Sequence, residues 1–164
     1  MEHARQATAG DLTALAGLWD VAVGDLDGQR GGRLLAGSLS RDGAAVHLES
    51  ALADPDRLVV VGLIDEVPVG VGSVACDRSR SEVVGYLELL YVEPRARQVG
   101  VAEAMVDAVL PWCRDKGCVG VDAPALPGNR PAKAFFEEHG FLARLLVMHR
   151  PLGSEREEGG GSTT

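Results

Sequence analysis

A short basic turn in the middle of the chain has the composition of an anion-binding site. Its residues, Arg97-Gln98-Val99-Gly100-Val101-Ala102, follow a strand-like segment and open a helical pattern. Backbone N–H groups at such a helix start lack partners and lie at the positive end of the helix dipole, so they attract phosphate oxygens. Glycine at position 100 lets a phosphate approach the backbone closely. The turn therefore predicts a phosphate site.

Two other phosphate-binding patterns are absent from this turn. A P-loop needs a Lys followed by Ser or Thr after its second glycine, and a dinucleotide fingerprint needs three glycines and a downstream acid. Neither pattern occurs here. A nucleotide-phosphate enzyme of either kind is therefore disfavoured.

The first half of the chain predicts one strand followed by helices. Residues 5–8 form the strand, and Thr8 or Asp11 can cap a helix whose apolar residues recur at spacings of three and four. The glycine- and acid-rich segment 24–32 predicts a break. Residues 34–53 predict a second helical region, interrupted near Asp42-Gly43.

In the second half of the chain the apolar pattern changes from helical spacing to one typical of β-strands. Residues 58–64, 67–76 and 83–92 predict three consecutive antiparallel strands, of which the third leads to the basic turn. Residues 100–116 predict an amphipathic helix in which Pro111 should cause a kink or an early end. The remaining predicted elements are a strand at 118–123, a helix at 129–139 and a last strand at 141–149.

Composition restricts the class of protein. The chain has 164 residues, 46% hydrophobic residues and a formal charge of -8, which suits one soluble globular domain at residues 1–152 and a solvated, disordered tail at 153–164. Nucleic-acid binding is disfavoured because phosphate neutralisation needs clustered Lys and Arg. The three cysteines are expected to be reduced thiols. No apolar stretch is long enough for a signal peptide or a membrane span, so we expect a cytoplasmic protein without a membrane partner.

The turn resembles motif A of the GCN5-related N-acetyltransferase (GNAT) superfamily, which is R/Q-x-x-G-x-G/A behind a strand ending in V-x-P. Val92-Glu93-Pro94 and the turn match this pattern. Asn129, Ala132, Phe135-Phe136 and Gly140-Phe141 match the family's downstream spacing, so the likeness covers about residues 3 to 150. The resemblance implies an α/β (α+β) fold. The sheet would be mixed and mostly antiparallel, with six to seven strands of which the fourth and fifth splay apart. About four helices would flank it.

The resemblance also implies a function. It indicates an acetyl-CoA-dependent N-acetyltransferase that transfers acetyl to a primary amine of a polyamine- or aminoglycoside-like molecule by direct attack in a ternary complex. A protein N-terminal or lysine acetyltransferase and a non-catalytic acyl-CoA-binding or regulatory module are the alternatives, and a homodimer is compatible with all three. No metal site is proposed. The residues implied to bind coenzyme A are Leu90, Tyr91, Val92, Arg97, Gln98, Val99, Gly100, Val101, Ala102, Asn129 and Phe136.

Direct attack needs a neutral amine, and Glu88 is the candidate base. The period of two places Glu88 on the same strand face as Tyr86, Leu90 and Val92 and places Tyr91 on the opposite face. The segment resembles the strand that carries the proposed base in polyamine N-acetyltransferases. A structural salt bridge is the alternative interpretation of this carboxylate.

Two further features concern the leaving group and the acceptor. Many members of the family carry a Tyr that protonates the thiolate where this chain has Phe136. Tyr91, expected in the core, and Tyr86 are the nearest substitutes in sequence, and Tyr86 is also a candidate for binding the substrate. Asp25 and Asp27 lie in the segment that would shape the acceptor pocket, where they either attract a cationic amine or are ordinary loop residues.

Overall fold

The computed structural model describes residues 1–153, so the predicted tail lies outside the described residues from position 154 onwards. Ten elements of regular α or β structure are assigned in this part of the chain, with single 3-10 turns before the first and fourth α-helices. They are, in order, β1 (Glu2–Gln6), α1 (Leu12–Asp27), α2 (Gly32–Leu39), α3 (Ala44–Ala53), β2 (Arg57–Ile64), β3 (Val67–Asp77), β4 (Val84–Val92), α4 (Val101–Asp115), β5 (Gly120–Asp122) and α5 (Arg130–Glu138).

The five strands form one mixed sheet in the order β1-β2-β3-β4-β5. The first four are antiparallel neighbours, and β5 lies parallel to β4. The fold class expected from the sequence is confirmed, with five strands instead of six or seven and five helices instead of about four.

The sheet is covered on both faces. Helices α1, α2 and α3 pack on one face over a core that includes Leu15, Trp19 and Leu48, and α4 packs on the other face through Met105 and Val109. The β2 sequence RLVVVGLI is a continuous apolar run because both of its faces are buried.

Three glycines let α4 lie close to the sheet. A Cβ atom at Gly62 or Gly70 would come within 2.7 or 2.9 Å of the Met105 sulfur, and one at Gly72 would lie 3.2 Å from its methyl carbon. These separations leave no room for a methyl group at the first two positions. The close packing fixes α4, and with it the turn that precedes α4.

Asp11 anchors the start of the helical layer. Its carboxylate accepts two hydrogen bonds from Arg5 at 2.8 and 3.0 Å and one from the Thr8 backbone N–H at 2.8 Å. Burial raises the pKa of this carboxyl, but the Arg5 hydrogen bond has a larger effect, so the pKa is lowered to about 2. The pair ties β1 to the beginning of α1.

Three expectations about element boundaries were wrong. The first strand begins at Glu2 and ends at Gln6, and α1 continues to Asp27, so the break is confined to the residues between α1 and α2. Helix α4 continues past Pro111 to Asp115. Pro111 lies on the exposed face of α4, where the carbonyl of the exposed Asp107 can bond to water instead of to an N–H.

The predicted last strand at residues 141–149 has no strand assignment in the structure. The segment follows α5 without pairing to the sheet, and its large apolar side chains after Phe141 are exposed. No helix within residues 1–153 is long and apolar enough to cross a membrane.

Candidate active site

The β4 and β5 strands separate along their length and leave a gap beside β4. They pair only through Val84–Tyr86 and Gly120–Asp122. The Glu93 N–H donates to the Val69 carbonyl at 2.9 Å, so Glu93 points its backbone groups toward β3. Because hydrogen-bonded and non-hydrogen-bonded pairs alternate, the backbone N–H groups of Leu90 and Val92 face the gap.

The predicted anion-binding turn lies at the end of the same gap. Gly100 caps α4 with a φ of 94°, and Gln98 also has a positive φ of 65°. The Arg97 Nε donates to the Val92 carbonyl at 2.8 Å, which ties the turn to the end of β4. Val101 and Ala102 begin the helix, so their free N–H groups open toward the turn, while Arg97, Gln98 and Val99 are exposed.

The far wall of the gap comes from α5 and the loop before it. The Asn129 Oδ1 accepts a hydrogen bond from the Ala132 N–H at 3.1 Å, so Asn129 caps α5 and keeps its side-chain NH2 free to donate. The Phe136 ring lies 5.1 Å from the Phe141 ring, between centroids, which links this wall to the segment after α5. The structure therefore brings Asn129 and Phe136 together with β4, as the sequence predicts.

A cleft of about 100 Å³ runs between these elements. Leu126 from the loop before α5 lines the cleft together with Leu26 of α1 and Leu35 of α2. The lining residues are Leu26, Leu35, Leu87, Glu88, Leu89, Leu90, Pro124, Ala125, Leu126, Asn129, Ala132 and Phe136.

A β-bulge in β4 determines where the Glu88 side chain points. Ser73 pairs with Leu89 and Val74 with Leu87, so Glu88 has no residue opposite it on β3. After the bulge, Leu89 and Tyr91 pack in the core of α1–α3, whereas Val92 packs in the core of α4. The predicted grouping of Glu88 with Leu90 and Val92, opposite Tyr91, was therefore wrong, because simple alternation fails at a bulge.

The Glu88 carboxylate lies among polar groups on the α1–α3 side of the sheet. It accepts hydrogen bonds from Arg57 at 2.8 Å and from the Ser73 hydroxyl at 2.9 Å, and the His47 Nε2 lies 3.7 Å away. Burial raises the pKa of Glu88, while His47, Arg57 and Ser73 together lower it to about 2. Glu88 is therefore an ionised carboxylate at neutral pH, with 20% of its side chain exposed toward the cleft.

The groups that hold Glu88 are themselves positioned by the helical layer. Arg57 lies 2.9 Å from the His47 Nε2, and the His47 ring stacks on Trp19 at 4.8 Å between centroids. The Trp19 Nε1 donates to the Leu39 carbonyl at 3.1 Å, which fixes the indole. Arg57, Ser73 and His47 are not among the residues predicted from the sequence, and no local motif marks them.

The two acidic candidates for acceptor binding lie outside the cleft lining. Asp27 is exposed, 3.6 Å from Arg33, and Asp25 is exposed two residues before the end of α1. The intervening Leu26 contributes to the cleft instead. Both carboxylates therefore lie at the outer margin of the cleft.

The two tyrosines of β4 differ in their surroundings. Tyr91 is 7% exposed in the core, as expected, and the Arg97 guanidinium lies over its ring at 5.6 Å. Tyr86 is 40% exposed, and burial of its ring together with the negative charges of Glu88 and Asp122 raises its pKa. Tyr86 is therefore a protonated phenol near the ionised Glu88.

Comparison with known proteins gives a family match over most of the chain. The model of the acetyltransferase (GNAT) family matches residues 33–141. An aminoglycoside N(6')-acetyltransferase type 1 from Stenotrophomonas maltophilia is 36% identical over 160 residues, which cover 90% of this chain and 92% of that protein.

Solved structures with the same fold support this match. An aminoglycoside N-acetyltransferase AAC(6')-Iy in complex with CoA superposes with a TM-score of 0.73 at 22% identity, covering 92% of this chain and 95% of that one. An aminoglycoside 6'-N-acetyltransferase from Acinetobacter haemolyticus gives a TM-score of 0.68 at 19% identity, over 93% and 99% of the two chains. The family match together with the extent of the Stenotrophomonas relative shows that the chain belongs to the GNAT acetyltransferase family, as an N-acetyltransferase that uses acetyl-CoA as its cofactor.

Proposed function

We propose that this enzyme transfers the acetyl group of acetyl-CoA to a primary amine of an aminoglycoside-like small molecule. The observation that carries the proposal is the Glu88 carboxylate beside the β4–β5 gap: Arg57 and Ser73 both donate to its Oε2, which leaves Oε1 able to accept a hydrogen bond from a protonated amine in the cleft. The 36% identical relative, an aminoglycoside N(6')-acetyltransferase, supports the aminoglycoside class in particular.

The residues of the gap and the turn fit coenzyme A. Gly100 has a left-handed backbone that a side chain would strain, and the adjacent N–H groups at the start of α4 are suited to phosphate oxygens. The free N–H group of Leu90 would hold the pantetheine arm, and Asn129 can donate to it from the opposite wall. When bound, acetyl-CoA supplies an activated acetyl thioester to the acceptor amine.

Backbone and cleft groups of the chain would position the acceptor amine and stabilise the negative charge that develops on the thioester carbonyl oxygen. The Val92 N–H faces the gap and would donate to the carbonyl oxygen on which negative charge develops during direct attack. Positioning of the amine by the cleft walls supplies a further part of the rate.

Glu88 would act on the proton of the amine. An ammonium group must lose a proton before its nitrogen can attack. A carboxylate with a pKa of about 2 cannot retain that proton at neutral pH, so Glu88 would orient the ammonium and pass the proton through water to solvent. The charge of Glu88 raises the pKa of Tyr86, and Tyr86 would contact the acceptor from the end of β4 that pairs with β5.

The acceptor class is tested by measuring thiol release from acetyl-CoA in the presence of separate amines. We expect turnover with aminoglycosides that carry a 6'-amine and none with matched aminoglycosides that carry a 6'-hydroxyl. Turnover with spermidine alone would favour a polyamine acetyltransferase, and turnover with peptides alone would favour a protein acetyltransferase. If acetyl-CoA raises the melting temperature but no amine releases thiol, the aminoglycoside proposal is wrong.

A further inference from the structure

The chain's three cysteines come from separate segments and meet at one place beside the sheet. They are Cys76 near the end of β3, Cys113 on α4 and Cys118 between α4 and β5. All three are free thiols. The sulfurs of Cys76 and Cys118 lie 3.6 Å apart, and the Cys118 N–H donates to the Cys113 carbonyl at 3.0 Å. Two thiols that touch in the folded protein are placed to form a disulfide.

Gly85 of β4 makes room for this contact. It pairs with Cys76 on β3 and with Val121 on β5, so it lies between the strands that flank the sulfurs. A Cβ atom at Gly85 would lie 2.9 Å from the Cys113 sulfur, which is closer than two such atoms can pack. The missing side chain therefore leaves the space that the cysteines occupy on the α4 side of the sheet.

The two backbone segments that carry Cys76 and Cys118 are held together without the sulfurs. The Cys76 N–H donates to the Asp56 carbonyl at 2.8 Å. The Arg78 side chain donates to the Asp56 carboxylate at 3.0 Å and to the Lys116 carbonyl at 3.2 Å, so it joins the two segments directly. A disulfide has a sulfur–sulfur distance of about 2.05 Å, so the two sulfurs need to approach by roughly 1.5 Å. Side-chain rotation can supply this movement while the backbone stays in place.

Reagents in solution can reach the pair. Cys76 and Cys118 are both partly exposed, whereas Cys113 is 2% exposed. Cys118 also lines a groove of about 180 Å³ between β5 and the second half of α4. Burial raises the pKa of the Cys76 thiol, although the positive charge of Arg78 opposes this effect. Because the thiolate is the reactive form, oxidation of the pair should be slow at neutral pH and faster in mild alkali.

We propose that Cys76 and Cys118 form a redox modification site that exchanges with a low-molecular-weight disulfide. The Cys118 thiolate attacks one sulfur of that disulfide, which releases one small thiol and leaves a mixed disulfide on Cys118. The Cys76 thiolate then attacks the Cys118 sulfur, forms the intramolecular bond and releases the second small thiol. The two cysteine sulfurs give up two electrons to the small disulfide, and their two protons leave on the released thiols.

The new bond holds β5 against the rest of the sheet. This strand has three residues, Gly120–Asp122, and the Val119 N–H before it donates to the Val83 carbonyl at 2.9 Å. A disulfide from β3 to Cys118 closes a loop that contains β4 and α4, and a cross-link over a long loop stabilises the folded state by restricting the unfolded chain. Oxidation should therefore raise the melting temperature and slow hydrogen exchange at residues 119–122.

Thiol counting in the full chain provides the first test. Reduced protein is incubated with oxidised glutathione in mild alkali, quenched with acid and analysed by mass spectrometry and peptide mapping. We expect loss of two of the three thiols, a peptide that links Cys76 to Cys118, no retained glutathione and full reversal by dithiothreitol. A stable glutathione adduct, a link that includes Cys113, or no reaction of the folded protein would each overturn the proposal.

Single substitutions separate the pair from the third cysteine. Cys113→Ala is the matched control and should still form the disulfide. Cys76→Ser should stop at a glutathione adduct on Cys118, because the second attack is then missing. Cys118→Ser should acquire neither a disulfide nor an adduct. An adduct on Cys76 in Cys118→Ser would overturn the proposed order of attack.

Melting curves and hydrogen exchange test the effect on β5 and do not depend on catalysis. Oxidised wild type should melt roughly 5–10 °C above the reduced protein, and Cys113→Ala should show the same difference. Cys76→Ser should show no rise after the same treatment. Equal melting temperatures and equal exchange at residues 119–122 in oxidised and reduced wild type would overturn the proposed restraint on β5.

Discussion

Arg57 and Glu88 form a short, largely buried ion pair in which the Arg57 Nη2 lies 2.8 Å from the Glu88 Oε2. Each side chain is only 15–20% exposed. The pair joins the first residue of β2 to the bulge of β4, across the intervening strand β3. Removing one partner of such a pair leaves the other as an uncompensated buried charge, so the pair controls the protonation of the cleft carboxylate.

Substitution of Glu88 should reduce turnover far more than cofactor binding. We expect Glu88→Gln to lower kcat by about 10²-fold, within the usual range for loss of a group that assists proton transfer, with little change in the Kd for CoA. Glu138→Gln, at an exposed site on α5, is the matched control and should leave both values unchanged. Wild-type turnover by Glu88→Gln would remove Glu88 from the mechanism.

Substitution of Arg57 should change the pH profile. In Arg57→Gln the carboxylate loses its cationic partner but keeps the burial that raises its pKa, so an acidic limb should appear in the plot of kcat against pH. Arg57→Lys keeps the positive charge and should restore most of the wild-type profile. A purely structural role for Arg57 would lower the melting temperature of both variants without introducing this limb.

Substitution of Gly100 should weaken the binding of CoA more than a comparable glycine substitution elsewhere. Gly100→Ala forces a side chain to adopt a φ of 94° and places its methyl group 3.4 Å from the Glu2 Cγ, so the turn proposed to hold the phosphate should distort and the Kd for CoA should rise at least tenfold. Gly117→Ala is the control at the other end of α4, with a similar φ of 83° and open space around it. Both variants should lose about 1 kcal/mol of stability, and only the first should lose affinity. Equal CoA affinity in the two variants would contradict a phosphate site at Gly100.

Protein stability should decrease in acid through two carboxylates. The pKa of Glu88 is lowered from 4.5 to about 2 and that of Asp11 from 3.8 to about 2, so both groups stabilise the folded state above pH 4.5. This contribution is lost as the pH falls from 4.5 through 2, because the unfolded state then binds the protons more strongly. Melting temperatures measured across this window should fall less steeply in Asp11→Asn than in the wild type. An equal slope in the two proteins would argue against the Arg5–Asp11 pair.

Phe136 offers a test of the leaving-group step. The side chain lines the cleft, so Phe136→Tyr places a phenol there without rebuilding the wall. If departure of the thiolate limits the rate, the variant should have a higher kcat with an unchanged KM. An unchanged kcat would show that departure needs no acid, in keeping with a thiol pKa near that of cysteine, about 8.5.

Local patterns were sufficient to predict most elements and the turn between β4 and α4. The turn from Arg97 to Ala102 is one continuous segment, and the unpaired N–H groups beside it are provided by the helix start itself. The same is true of the Asn129 cap of α5. Such features need no knowledge of the rest of the chain.

The environment of Glu88 could not be predicted in this way. Arg57, Ser73 and His47 come from three different elements and meet only when β2, β3 and α3 are assembled. The bulge at Glu88 reverses which face of the sheet each later side chain of β4 points to. An apolar pattern with a period of two gives no sign of such a shift. The expected early end of α4 at Pro111 failed for a related reason. The free-energy cost of a proline in a helix depends on whether the carbonyl that loses its N–H partner faces solvent, and the sequence pattern does not show this.

The close contact between Met105 and the three sheet glycines also constrains how the sequence can diversify. A side chain at Gly62 or Gly70 would require Met105 to move and would push α4 away from the sheet, together with the turn proposed to hold the cofactor, so mutations at these positions should weaken binding of the acetyl donor. The α1–α2 junction and the Pro124–Leu126 loop are free of that constraint and form the opposite side of the cleft. Selection for new acceptors should therefore accumulate changes in these two loops while the glycine–methionine contact stays fixed.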